Sequence, residues 1–160
     1  MDFTVTRTAD RDALASWDAG RALDPQRPIG LPAIVAHARA NARTPDESQR
    51  IPKLLDQLAR LIEGGHVRER PENPAAAPSI VFLALGQGFA PTDLHPVDHA
   101  VHTAARSVAA AGRYPTLGAI DHELNVDRGE MARVGAAEVL RAIGRLHQQV
   151  YLSIGERMPA

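Results

Sequence analysis

Between Ile51 and Ile62 the chain places Ile51, Leu54, Leu55, Leu58, Leu61 and Ile62 at i, i+3, i+4, i+7, i+10 and i+11. That rhythm makes one face of a helix continuously apolar and requires its burial. Thr44-Pro45-Asp46-Glu47 ahead of it supplies a capping hydroxyl, a proline at the first helical position and a carboxylate at the third. Gly64-Gly65 ends the helix, because glycine accepts a left-handed cap at little cost. His66 to Arg70 then alternates as a half-exposed strand does, Pro71 to Pro78 (PENPAAAP) reads as a loop, and Ile80 to Leu85 has the β-branched and aromatic content of a returning strand. The expectation is a hairpin that carries Arg68 and Arg70 beside the helix.

The same patterning organises the rest of the chain. Asp2 to Thr6 alternates like a short strand, Arg11 to Ala19 is helical, Asp24 to Pro28 is a break, and Leu31 to Ala42 is a helix with Pro32 tolerated in its first turn. Gly86 to Pro96 (GQGFAPTDLHP), with two glycines and two prolines, reads as a linker. Beyond it, Val97, Val101, Ala105 and Val108 predict a helix ending at Gly112, and Pro115-Thr116 opens another in which Leu117, Ile120 and Leu124 share a face. After a polar turn from Asn125 to Gly129, a last helix is expected from about Ala136 to Ile154, with Leu140, Ile143, Leu146, Val150 and Ile154 inward. The pattern predicts a mainly α fold with a small β-hairpin, divided into units at 1–88 and 89–160.

In the first unit, an amphipathic helix, a glycine stop, an arginine-bearing strand, a loop and a second strand resemble a winged helix-turn-helix transcription regulator, with the hairpin as the wing. In the second, the run AARSVAAAGRYPTLGAIDHEL, Ala104 to Leu124, is similar to the N-terminal DNA-binding segment of KfrA-type plasmid regulators. In that family a Pro-Thr start, a short helix with Ile and Leu inward and a recognition helix follow one another; here the recognition helix would be Ala136 to Leu146. The turn from Val126 to Gly135 is longer and more acidic than that pattern, and the family's long coiled-coil tail has no counterpart here. The resemblances imply a winged helix-turn-helix followed by a helical, helix-turn-helix-like module, acting as a plasmid- or phage-associated, sequence-specific regulator that binds duplex DNA as a homodimer.

Charge both supports and opposes this reading. The 18 basic and 19 acidic side chains give a net charge of −1, where many DNA-binding domains are strongly basic. The candidates for DNA contact are Arg43, Gln49, Arg50 and Lys53 toward the major groove, Arg68 and Arg70 toward adjacent phosphates, and Arg128, Arg133 and Arg141 around the last helix. Arg145 shares the polar flank of that helix. Residues 92–160 hold seven arginines against eight Asp and Glu, so the second unit is net acidic. The alternative is therefore a protein-protein interaction module, an adaptor or inhibitor of another protein on a winged-helix scaffold.

Other chemistry has weaker support. His95, His99 and His102 stand at i, i+4 and i+7 with Asp98 among them and Asp121-His122-Glu123 further on, a spacing that can chelate a metal. Pro96 and Val97 occupy the place where a metalloprotease helix carries its glutamate, so a solvated helix start is the favoured reading and no metal is assigned. Gly86-Gln87-Gly88 lacks the third glycine of a dinucleotide loop, and no glycine-framed serine appears; no catalytic residue and no cofactor are expected. With no cysteine and no apolar run near the roughly 18 residues of a membrane span, the expectation is a cytoplasmic protein away from the membrane. The N-terminus shows no basic segment followed by an apolar one, so no secretory signal is read there.

Overall fold

Helix α4 (Glu47–Glu63) forms where the apolar rhythm predicts it and lies at the centre of the molecule. The computed structural model describes residues 1–6, 11–15, 17–41, 47–71, 79–85 and 94–157. The expected cap at Thr44 to Asp46, the Pro-rich loop after Pro71 and most of the Gly86 to Pro96 linker lie outside them. Ile51, Leu54, Leu55, Leu58 and Leu61 are buried, each worth roughly 1.5–3 kcal/mol relative to exposure. Two bonds close the helix, from Gly65 N to the Ile62 carbonyl (3.1 Å) and from His66 N to the Leu61 carbonyl (3.0 Å). They place Gly65 at φ 77°, the left-handed position that glycine fills without strain.

Around α4 the elements follow in the order β1 (Asp2–Val5), α1 (Arg11–Ala15), α2 (Asp18–Arg21), β2 (Ile29–Gly30) and α3 (Leu31–Ala40), then, after α4, β3 (Val67–Arg70) and β4 (Ser79–Ala84). The chain continues with α5 (Pro96–Ala110), α6 (Leu117–Asn125), a 3-10 turn (Glu130–Ala132), α7 (Ala136–Gln148) and β5 (Leu152–Arg157). Several starts are chemically specified: Pro32 sits in the first turn of α3, and the Thr116 hydroxyl accepts from Ala119 N (3.2 Å) to cap α6. The fold is mainly helical with small antiparallel sheets.

Two expectations are corrected. Strands β3 and β4 do not form a hairpin: β3 pairs antiparallel with β1 in a sheet ordered β2-β1-β3, while β4 pairs antiparallel with β5 in a sheet of its own. The wing therefore does not exist as read, because the strands' hydrogen bonds are satisfied by partners distant in sequence. The last helix also stops early. Bonds from Val150 N to the His147 carbonyl (3.0 Å) and from Tyr151 N to the Leu146 carbonyl (2.8 Å) close α7, and Leu152 to Arg157 continues as a strand. Leu140, Ile143 and Leu146 are buried as expected; Val150 is 70% exposed and Ile154 lies half-buried on the sheet.

The most extensive helix contact joins α4 to α7. Gly144 allows it: a Cβ there would stand 3.3 Å from Pro52 Cα. Across this contact the segments 1–88 and 89–160 contribute to one buried apolar cluster that includes Phe3, Ile34, Leu58, Ile120, Ile143 and Leu152. Asp98 of α5 is buried and receives Arg145 of α7 in a two-pronged pair, 2.9 Å from Nε to Oδ2 and 2.6 Å from Nη2 to Oδ1.

Two outcomes follow from this architecture. Fluorescence of Trp17, the single tryptophan, which packs against the core from the first segment, should unfold in urea with the same midpoint as the far-UV ellipticity of the whole chain. Separate midpoints would mean two independent cores. Val150 holds φ 66°, a region costly for a β-branched residue, so Val150→Gly should raise stability by up to about 1 kcal/mol in the same titration.

Candidate functional site

The residues proposed for DNA contact go to different environments. Arg43 lies outside the described residues, as does the side chain of Gln49. Arg50 is half-buried and Lys53 exposed on α4. Gln57, one turn beyond Lys53 on α4, is buried and its side chain accepts from Ala19 N of α2 (3.2 Å). Arg60 pairs with Asp56 (3.0 Å). Arg141 turns inward across the helix contact, bonding Asp56 (3.2 Å) and Glu63 of α4. On the polar side of α4, Gln57 is thus covered by α2 and Asp56 and Glu63 are engaged by α7, while Lys53 and Arg60 stay exposed.

Besides Lys53, four candidates stay on the surface. Arg68 and Arg70 alternate with Val67 and Glu69 along β3, and among the described residues no carboxylate pairs with either. Arg128 is exposed, but its guanidinium donates to the backbone carbonyls of Leu124 (3.1 Å) and Ala132 (3.4 Å), holding its own loop. Arg133 is exposed and pairs with Asp121 (3.4 Å).

Arg70 and Arg133, widely separated in sequence, line one cleft of about 600 Å³ between the end of β3 and the exposed side of α6. Met1 and Glu69 form one wall, Asp121, His122 and Asn125 the other. The loop after α6 closes it. Asn125 fixes that loop from inside: its side-chain amide donates to the Asp121 carbonyl (3.0 Å) and the Val134 carbonyl (3.1 Å), and its oxygen accepts from Val134 N (2.8 Å). Between these anchors the chain projects outward, leaving Val126 56% exposed and Met131 wholly exposed.

Asp121 gives the cleft its electrostatic character. Its side chain is 13% exposed, and burial pushes the carboxyl above its ordinary range; Arg133 opposes the shift, Glu69 adds to it, and His122 and the N-terminal amine oppose it. The neighbouring Glu123 points elsewhere. The Ser107 hydroxyl (2.8 Å) and Arg113 (3.2 Å) bond it and hold it below the usual carboxylate range, joining α6 to α5.

A second cleft, of about 560 Å³, lies between α5 and α7, but its Asp98 and Arg145 are paired with each other and its Arg141 is committed to α4. The histidines that suggested a metal separate as well. His95 is exposed and its Nδ1 accepts from Val97 N (3.2 Å), His99 is exposed, and His102 is fully buried, donating from Nε2 to the Leu85 carbonyl (3.2 Å) and lying edge-on to Tyr151. Among the described residues no three His, Asp or Glu side chains converge as a metal requires.

The lining of the β3–α6 cleft holds no hydroxyl, thiol or lysine side chain among the described residues, and both signs of charge face one space. That composition suits binding better than covalent catalysis. Sequence patterning singled out Arg70, Arg133 and the Asp121-His122-Glu123 run, but nothing local in the sequence joined them. Compared with family models, curated proteins and solved structures, the chain matches none.

The folded state holds the Asp121 proton more tightly than the unfolded chain does. Its favourable contribution is therefore complete below the ordinary value of 3.8 and is lost as pH rises through the folded value. Asp121→Asn should melt higher than the wild type at neutral pH, and the difference should close on the acid side of 3.8. Melting curves of both proteins across that range check the sign.

Proposed function

We propose that the protein is an interaction module that docks on another protein, as an adaptor or inhibitor, through the β3–α6 cleft and the loop beside it. The observation that carries this reading is the engagement of Gln57, Arg141 and Arg145 by partners within the protein. A recognition helix has to present its side chains to base edges. Here Gln57 and Arg141 are spent on the protein's own backbone and carboxylates, and Arg145 is spent on Asp98.

The exposed features near the cleft favour a protein partner. Val126, largely exposed, lines the cleft with Arg70 and Arg133, and Met131 of the same loop stands wholly in solvent. Methionine and arginine are enriched at protein interfaces, and an apolar side chain held outward by a pinned loop is suited to fill a partner's pocket. The net charge of −1 also suits a protein surface better than the phosphate backbone.

A second reading, duplex DNA, is favoured by Arg68 and Arg70, two exposed cations on one strand face with no carboxylate partner among the described residues. It would rest on phosphate contact and weaken steeply with salt.

A gel shift with random duplex at low salt separates the two. The interaction reading expects no shift; a shift abolished by the Arg68→Ala, Arg70→Ala double variant would establish the DNA reading in its place. In parallel, wild-type protein immobilised as bait should retain a partner that Met131→Glu loses and Lys53→Glu keeps. Identical retention by both variants would reject the proposed surface.

A further inference from the structure

The β4-β5 sheet has one edge covered at Pro115 and Thr116 and one that none of the described residues pairs with, and its register fixes which backbone groups face outward. Leu85 N donates to the Tyr151 carbonyl (2.8 Å), and the strands pair Leu83 with Ser153, Val81 with Gly155 and Ser79 with Arg157. In an antiparallel ladder the bonded pairs alternate, so residues 153, 155 and 157 turn their backbone groups toward β4 while 152, 154 and 156 turn theirs away. The outward groups of β4 follow the same alternation. Phe82 N donates to the Pro115 carbonyl (2.9 Å), and Val81 bridges to Thr116, which covers that edge.

On the β5 side the outward Leu152 carbonyl accepts from Nδ1 of His147 (3.2 Å). Among the described residues nothing bonds the backbone N–H and C=O of Ile154 and Glu156. These are two donors and two acceptors spaced two residues apart on an edge strand. A two-stranded sheet is marginal by itself, and an open edge invites a further strand.

We propose that β5 is a homodimer interface, pairing antiparallel with β5 of a second copy about a twofold axis at Gly155. The positions are self-complementary. With the axis at Gly155, Ile154 of one copy meets Glu156 of the other, and the two pairs exchange four backbone bonds, an isologous contact that uses both outward groups of each of these residues. The register centred on Ile154 instead would require the Leu152 carbonyl, which His147 already engages. At the axis the two residues face each other as a close, non-bonded pair about 4.5 Å apart, and glycine has no side chain to obstruct it. The result is one four-stranded sheet, β4-β5-β5-β4. This contact lies outside the β3–α6 cleft and stands or falls independently of the partner reading.

The test uses the full chain. Sedimentation across a micromolar concentration series should give twice the chain mass at the upper end, with reversible dissociation on dilution. Amide exchange gives a signature that needs no variant: Ser153 and Gly155 stay protected at all concentrations, while Ile154 and Glu156 become protected only where the dimer forms. Glu156→Pro removes an outward donor and leaves the β4 ladder intact, a placement that edge strands tolerate. It should be monomeric with unchanged ellipticity, whereas Glu156→Gln should remain dimeric. A wild-type chain that stays monomeric throughout the series, a dimer in which the Ile154 and Glu156 amides exchange freely, or a folded Glu156→Pro dimer would each overturn the proposal.

Discussion

The contact between α4 and α7 is the constraint on which the rest of the molecule depends. It is close because a glycine, Gly144, lies against the backbone of Pro52, and it is registered because Arg141 reaches across to Asp56 and Glu63. Half-exposed ion pairs of this kind contribute little by themselves, so the apolar packing around Gly144 supplies most of the contact's energy. With α7 fixed, Arg145 meets Asp98 of α5, and the turn at Val150 delivers β5 to β4. One crossing therefore positions both the helical layer and the second sheet.

That same crossing decides where charge can act. A chain with nearly equal numbers of acids and bases can still present a strongly charged surface if one sign is withdrawn inside. Here the two signs are paired with each other instead: Arg141 with Asp56 and Glu63, Arg145 with the buried Asp98, Arg113 with Glu123. The charges of the cleft are local. Arg68 and Arg70 sit on one strand, and Arg70 meets Arg133, Asp121 and His122 only because β3 pairs with β1 and α6 is held against the core by Ile120 and Leu124.

Local physics was legible in the sequence, and non-local pairing was not. The six apolar positions of α4, the glycine stop at Gly65, the Thr116 cap and the buried faces of α5, α6 and α7 each follow from residues within a few positions of one another. The partners of β3 and β4 could not be read in that way. Two strands separated by a short loop suggest a hairpin, but the bonds go to Asp2–Val5 and Leu152–Arg157 because helices of both segments bring those strands alongside. β5 was hidden by an accident of spacing: Leu146, Val150 and Ile154 continue the helical period past the point where the backbone reverses at a valine, a residue that sequence rules do not treat as a helix stop. The cleft was half legible. Arg70, Arg133 and Asp121 were singled out for their chemistry, yet their meeting is a property of the sheet register, as is the inward turn of Arg141.

The amphipathic helix illustrates why a polar row is weak evidence of function. Its apolar face had to be buried, and a helix buried on one face has its polar row free only if nothing else packs on it. In a chain of this size the central helix is packed on more than one side, so Gln57 is paired with a backbone amide of α2 and the half-exposed Asp56 accepts from Arg141 of α7. The surface features that survive such enclosure lie at the periphery, on an edge strand, at a strand end and on a loop pinned by a buried asparagine. Rigid elements of this kind hold an outward methionine or an exposed strand edge in one setting, which is the geometry the proposed docking reading requires.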